Sequence, residues 1–314
     1  MLEDADIFLT NTRPKALNKL GLDPDTLTQK YPKLIYASIN GYGEEGPDAD
    51  TAGFDSMAFW TRSGFLVDMA EVNSPYPVCT PTGIGDCVAG VTLVAGIMTA
   101  LYNRSRTGKG EVVKTSLYSA AIWTMGGMII QAQPKYGVNF PMHREWEGAL
   151  SSKYKCKDGE WFMLVVLDYA RDADKVYRIL GITEEVKAMG VVDWQTRLAH
   201  NDELMYLMQD AFLKKDLAEW CELFRAADIV SGAMPHFKDV STDEHAWANH
   251  YLEDYPCRNG ETCILPRQPI SLRSAEIGPA RQAPMPGEQT DEVLAACGFS
   301  EAEIAGLHAC GAVK

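Results

Sequence analysis

One carboxylate stands at the mouth of a long apolar run. Asp86 lies in PTGIGDCVAG (81–90), and the run that follows, CVAGVTLVAGIMTALY (87–102), carries no charge. Two roles suit an acid there. As an N-cap it accepts a hydrogen bond from a free N–H of the first helical turn. As a catalytic carboxylate it is desolvated by the apolar helix and steered by the positive helix end. Cys87 is the one cysteine placed to act as a nucleophile, although a small thiol in such a run is expected to be buried and inert. The other metal-binding and nucleophilic types form no cluster. The eight cysteines contain no C-x-x-C pair, and the six histidines show no H-x-x-x-H or H-E-x-x-H spacing. A zinc site is therefore poorly supported, and no metal is expected.

The elements that must position Asp86 begin with two strands. IFLT (7–10) reads as a short buried strand and KLIYASI (33–39) as a second. Between them DPDTLTQKYP (23–32) is a short helix, with Asp23 as N-cap and Pro24 at the first helical position. Strand and helix alternate, which predicts a parallel sheet with helical crossovers. The glycines of NGYGEEGPDADTAGFD (40–55) mark a loop after the second strand. Open α/β sheets gather ligands at such strand ends, though a plain surface loop has the same composition. After the Asp86 helix come a basic turn (104–111), a strand VVKTSL (112–117) and an apolar helix (118–133). In the 87–102 run after Asp86, Gly90, Ala95, Gly96 and Ala100 predict close packing inside protein.

The pattern changes after about residue 143. YKCKDGEWFMLVV (154–166) is a hairpin turning at Asp158-Gly159, and helical patterns follow over 168–181, 201–214 and 216–228. The segment 245–272 becomes strand-like towards its end, and a Pro-rich linker (279–288) leads to two short helices. Ser300 and Glu303 form a capping box at the second of these. The expected division is a large α/β domain over 1–143, a small α+β domain over 144–228, and a return to the large domain over 229–314.

Composition sets outer bounds. A chain of 314 residues has room for two domains, and 46% hydrophobic with 23% charged residues is a globular balance. The formal net charge of −14 argues against nucleic acid as a partner, since phosphate contacts need clustered Lys and Arg. An anionic ligand then needs a local basic patch. No uncharged run reaches the ~18 residues of a membrane span, so no membrane partner is expected. No signal peptide is apparent, so the thiols read as reduced and the location as cytoplasmic.

Taken together, GFD (53–55), GIGDCVAG (83–90) and RTGKGEVVKTSL (106–117) resemble the family III CoA-transferases, the group that also holds carnitine, formyl and bile-acid CoA-transferases. The likeness continues through 11–47 and 286–313, so it covers nearly the whole chain. ADIFLTNTRPKAL, GYGEEGPDAD and AWANHYL are similar to the 2-hydroxyacid branch, the phenyllactate and 2-hydroxyisocaproate CoA-transferases of anaerobic bacteria. The resemblance implies a Rossmann-like large domain with a parallel sheet, a smaller α+β domain and an interlocked homodimer. It implies acyl-CoA and a carboxylic acid as substrates, with no tightly bound cofactor. Asp86 takes the place of the family's nucleophile, passing through an aspartyl anhydride and an aspartyl-CoA thioester.

The resemblance also carries a CoA pocket, residue by residue. Asn11, Thr12, Lys19 and Leu20 fall where relatives touch the nucleotide end, and Arg13 and Lys15 make that segment basic. Asn40, where relatives often have Lys, and Tyr42 face the pantetheine and active site. Leu117 falls where an apolar residue lines the channel. Relatives open with a βαβ portion that this sequence does not show, so an inactive CoA-binding subunit is one alternative. The other is an α-methylacyl-CoA racemase, whose signature GHD puts a His before the Asp; here the run is Gly53-Phe54-Asp55. Phe54, Met57, Phe59, Trp60, Phe65, Met142 and Trp146 are expected to favour an aryl or branched aliphatic hydroxy acid.

Overall fold

Strand β1 (Ile7–Thr10) pairs in parallel with β2 (Ile35–Asn40), and β2 pairs in parallel with β3 (Glu111–Ser116). These strands belong to a computed structural model that describes residues 2–141, 147–275 and 282–313. The chain divides into two units, Met1–Trp146 and Glu147–Lys314. In the first unit β2 is the centre of the sheet, and Ile35, Tyr36 and Ala37 are fully buried. β1 is an edge strand and departs from the expectation of burial. Ile7 is 37% and Leu9 62% exposed, whereas Phe8 and Thr10 on the other face are half-buried, the Phe8 ring 5.2 Å from that of Tyr36.

Helix α1 (Pro14–Leu20) follows β1, with Pro at its start and Gly21 at φ 64° after its end. Helix α2 (Pro24–Lys30) is capped as expected, Asp23 accepting from the Thr26 N–H at 2.9 Å. The loop after β2 ends in a π-helical turn, Asp55–Thr61, and a short helix α3 (Phe65–Asp68). Helix α4 (Ile84–Thr107) then packs on β2 and β3. A Cβ on Gly96 would stand 2.6 Å from Val113 Cγ1, so glycine permits that contact, whereas Gly90 faces open space. By length and composition alone α4 could cross a membrane. The apolar helix expected over 118–133 is two helices, α5 (Leu117–Thr124) and α6 (Gly126–Gln131), divided at Met125 ahead of Gly126-Gly127. A Ser116–Ser119 capping box starts α5.

In the second unit β4 (Lys153–Lys155) and β5 (Trp161–Leu164) form the expected hairpin, with Gly159 at φ 89°. Helices α7 (Tyr169–Leu180), α8 (Thr183–Ala188), α9 (Trp194–Ala199), α10 (Asn201–Phe212) and α11 (Leu217–Ala226) follow. Strand β6 (Ser231–Ala233) adds antiparallel to β5. These elements enclose one aromatic core. Tyr154 stacks on Phe212 at 4.6 Å, and the buried Trp220 Nε1 donates to the Phe212 carbonyl at 2.9 Å. Helices α12 (Phe237–Val240) and α13 (Glu244–Ala248) lead to a hairpin of β7 (Leu252–Pro256) and β8 (Thr262–Pro266). Helices α14 (Thr290–Ala296) and α15 (Glu301–Ala309) close the chain, the second with the expected Ser300–Glu303 box.

Candidate active site

The sheet topology gathers the chemistry at one edge. β2 and β3 run parallel as neighbours, so α4 between them must carry the chain back along the sheet. Its N-terminus therefore opens at the carboxyl ends of the strands, where α/β sheets bind ligands. Asn11 and Thr12 follow the end of β1, Asn40 closes β2 with Tyr42 two residues on, and Leu117 follows β3. The Tyr118 N–H donates to the Gly41 carbonyl at 2.9 Å and ties the last two of these ends together. Lys19 and Leu20 lie farther along, at the end of α1.

Asp86 is not the N-cap of α4. That position is Gly83, at φ 78°, and Asp86 is the third residue of the helix. The capping acceptor comes from elsewhere. Asp55, 7% exposed at the start of the π-helical turn, accepts the Gly83 N–H on Oδ2 at 2.8 Å. Its Oδ1 is buried, has no hydrogen-bond partner among the described residues, and lies against Gly85, where a Cβ would collide with it. Cys87 N–H makes the first intrahelical bond, to the Gly83 carbonyl at 3.0 Å. The N–H groups of Ile84, Gly85 and Asp86 precede that bond and point out of the helix start. Asp86 itself is exposed. Partial desolvation and, second, the Asp55 carboxylate push its pKa above the ordinary value. Cys87 is exposed rather than buried as its type and setting suggested.

Around this carboxylate the other candidates are placed as follows. Arg13, Lys15 and Lys19 line a cavity of about 350 Å³ with Ala16 and Asp50, and Arg13 Nη1 donates to the Asp50 carbonyl at 3.1 Å. Leu20 is 66% exposed beside them. Thr12 N–H donates to Thr10 Oγ1 at 3.1 Å. Asn40 Oδ1 accepts the Gly43 N–H at 2.6 Å, so its side chain shapes the glycine loop. The guanidinium of Arg62 lies over both Tyr42 and Tyr118, 5.8 and 5.4 Å from the ring centroids, and pairs with Asp48 at 2.8 Å. Arg62 did not stand out in the sequence, and Asp55 did so only as part of GFD (53–55), its bond to Gly83 arising through the fold.

Leu117 is 6% exposed and packs with Ala58, Phe59, Trp60 and Ala89 behind the start of α4. Phe59 and Trp60 belong to that core and are not free to line a substrate pocket, whereas Phe54 and Met57 are 79% and 52% exposed. Met142 and Trp146 lie outside the described residues. Among the described residues no group of three His, Cys, Asp or Glu side chains is placed to hold a metal ion.

Comparison with known proteins follows this geometry. The sequence profile of CoA-transferase family III matches residues 1–290. The chain is 37% identical over 308 residues to an (R)-2-hydroxy-4-methylpentanoate CoA-transferase of Clostridioides difficile, covering 97% of this chain and 76% of that protein. It is 37% identical over 312 residues to a cinnamoyl-CoA:phenyllactate CoA-transferase of Clostridium sporogenes, covering 97% and 74%. A mouse alpha-methylacyl-CoA racemase is 31% identical, covering 98% and 79%. In fold the chain matches a Mycobacterium tuberculosis protein with a TM-score of 0.78 at 22% identity, covering 92% of this chain and 76% of that one. A CaiB/BaiF family protein of Brucella suis matches with a TM-score of 0.77 at 23% identity, covering 94% and 76%.

Proposed function

The chain belongs to CoA-transferase family III, and from that premise we propose that it moves CoA from an acyl-CoA donor to a 2-hydroxy acid with Asp86 as nucleophile. The two 2-hydroxyacid transferases at 37% identity support the acid class. The observation that carries Asp86 is its position. It is an exposed carboxylate in the first turn of α4, beside unbonded amide N–H groups, at the carboxyl edge of a parallel sheet.

The chemistry divides one difficult exchange into four displacements. An Asp86 oxygen attacks the thioester carbonyl, the C–S bond breaks, and CoA leaves as thiolate from a mixed anhydride. The thiolate attacks the Asp86 acyl carbon, and the donor acid leaves as its carboxylate. The acceptor carboxylate attacks the resulting aspartyl-CoA thioester and expels the thiolate again. The thiolate then attacks the acceptor's acyl carbon, which releases the new thioester and restores the Asp86 carboxylate. The Gly83 N–H is committed to Asp55, so the N–H groups of Ile84, Gly85 and Asp86 are the local donors for the developing oxyanions.

Arg13, Lys15 and Lys19 meet the CoA phosphates in this reading, with Asn11, Thr12 and Leu20 beside the nucleotide. Asn40 and Tyr42 flank the pantetheine, and Leu117 is the apolar floor. The working form is an interlocked homodimer. In its support, Val91, Val94, Met98 and Tyr102 form an exposed apolar stripe on α4. The racemase reading needs a base before Asp55, and the hydrocarbon ring of Phe54 cannot take a proton.

The test offers an acyl-CoA donor with phenyllactate, 2-hydroxyisocaproate, lactate, oxalate and carnitine, and reads new thioesters by mass spectrometry. Burial of a Leu- or Phe-sized side chain contributes about 1.5–3 kcal/mol, so phenyllactate or 2-hydroxyisocaproate should outrun lactate. Preference for oxalate or carnitine contradicts the acid class while leaving the transferase reading in place.

A further inference from the structure

We propose that the second unit carries a binding site for a monocarboxylate with an apolar body, built around the buried Arg197. A cavity of about 830 Å³ opens between α7 and α9, and Arg197 lines it while being only 6% exposed. Its Nε and Nη2 are hidden from solvent and have no hydrogen-bond partner among the described residues. Two rings lie against it, Tyr169 at 3.6 Å and Trp194 at 4.4 Å from the guanidinium carbon. Ring contact offsets part of the cost of removing a cation from water, but it leaves the N–H donors unused.

Those two nitrogens define the ligand. Nε and Nη2 form one edge of the guanidinium, a planar pair of parallel donors that matches the two oxygens of a carboxylate. Tyr177 lines the same cavity. Its hydroxyl is buried and without a hydrogen-bond partner among the described residues, and burial pushes its pKa up to about 12, so it stays a protonated donor.

The walls restrict what else can enter. Asp168 and Asp193 line the cavity, but each is spent on a helix start, accepting from the Arg171 N–H at 3.2 Å and the Thr196 N–H at 2.8 Å. With Asp174 they make the wall acidic, which repels a polyanion such as a nucleotide more strongly than a single negative charge. Leu167 and Val192, 82% and 80% exposed, offer apolar surface to the body of the ligand. Trp194 is half exposed and lies 4.4 Å from the guanidinium carbon; since Nε and Nη2 are hidden, an entering acid must displace side chains around them.

Isothermal titration of the full chain without CoA, using 3-phenylpropanoate, 3-phenylpropanamide and inorganic phosphate, tests the site. The wild type should bind the carboxylate in preference to the amide and the phosphate. Arg197→Gln should weaken that binding about 10- to 100-fold, the range of a charge-assisted hydrogen-bonded contact. Tyr177→Phe should weaken it by a smaller factor, and it carries the test where Arg197→Gln does not fold. No binding to the wild type overturns the proposal. So does equal binding by the wild type and both variants, or amide or phosphate binding as tight as the carboxylate.

Discussion

Asp55 caps a helix to which it does not belong. Its Oδ2 holds the Gly83 N–H at 2.8 Å at the head of α4, and its Oδ1 rests against Gly85, one residue before Asp86. This carboxylate ties the π-helical turn to the start of α4, the helix that carries Asp86. Gly85→Ala tests the lock, since its Cβ would strike Asp55 Oδ1 and the Phe59 side chain. Overpacking of this kind costs about 1–3 kcal/mol. Urea denaturation should show a loss of that size, and CoA transfer should fall with it.

Asp55 also contributes to the pH dependence expected of Asp86. Desolvation first, and Asp55 second, raise the Asp86 pKa above its ordinary value of 3.8. The proposed mechanism needs Asp86 ionised, so it predicts that activity falls as pH drops through that raised value. Asp55→Asn keeps an oxygen for the Gly83 N–H and removes the charge. The acid limb of kcat/KM should then move to lower pH, with little change in melting temperature. Asp55→Ala removes the cap as well and should cost about 0.5–2 kcal/mol of stability.

Lys15 and Lys19 share a cavity with Arg13. If this cluster meets the CoA phosphates, the Lys15→Glu, Lys19→Glu double variant should raise KM for the acyl-CoA donor about tenfold or more and leave kcat near wild type. The effect should shrink as ionic strength rises, since salt screens exposed charges. Steady-state kinetics at two salt concentrations provide the check.

In the second unit Asp172 is buried on α7 and bonded by Arg171 Nη2 at 2.7 Å and Lys175 Nζ at 2.8 Å. Arg171, then Lys175, hold its pKa down at about 2, against 3.8 for a free Asp. The folded value is the lower one, so the carboxylate stabilises the fold above about 3.8 and that contribution is lost as pH falls towards 2. Asp172→Asn should therefore melt below wild type at neutral pH. The gap should close over that acid range in thermal scans.

Much of the fold was legible where a local signal decided it. Asp23-Pro24 started α2, Ser300 and Glu303 boxed α15, and Asp158-Gly159 turned the β4–β5 hairpin. The misreadings share a cause, because each depends on contacts distant in sequence. Asp86 follows the cap instead of being it, since Gly83 bends the chain and an acceptor arrives from Asp55, 28 residues away. β1 looked buried from its composition, yet an edge strand with one neighbour leaves Leu9 in solvent. Arg197 gave no sequence signal at all; its setting is assembled from Tyr169 and Tyr177 on one helix and Trp194 on another.

The central claim is that Asp86 carries the acyl group and then CoA, and trapping tests it most directly. The wild-type chain is mixed with an acyl-CoA donor, quenched with hydroxylamine, digested and mapped by mass spectrometry. The account predicts a hydroxamate on Asp86, and no hydroxamate on any residue of Asp86→Ala, which should fold normally and have no transferase activity. A modified residue other than Asp86, or transfer by Asp86→Ala at a rate close to wild type, contradicts it.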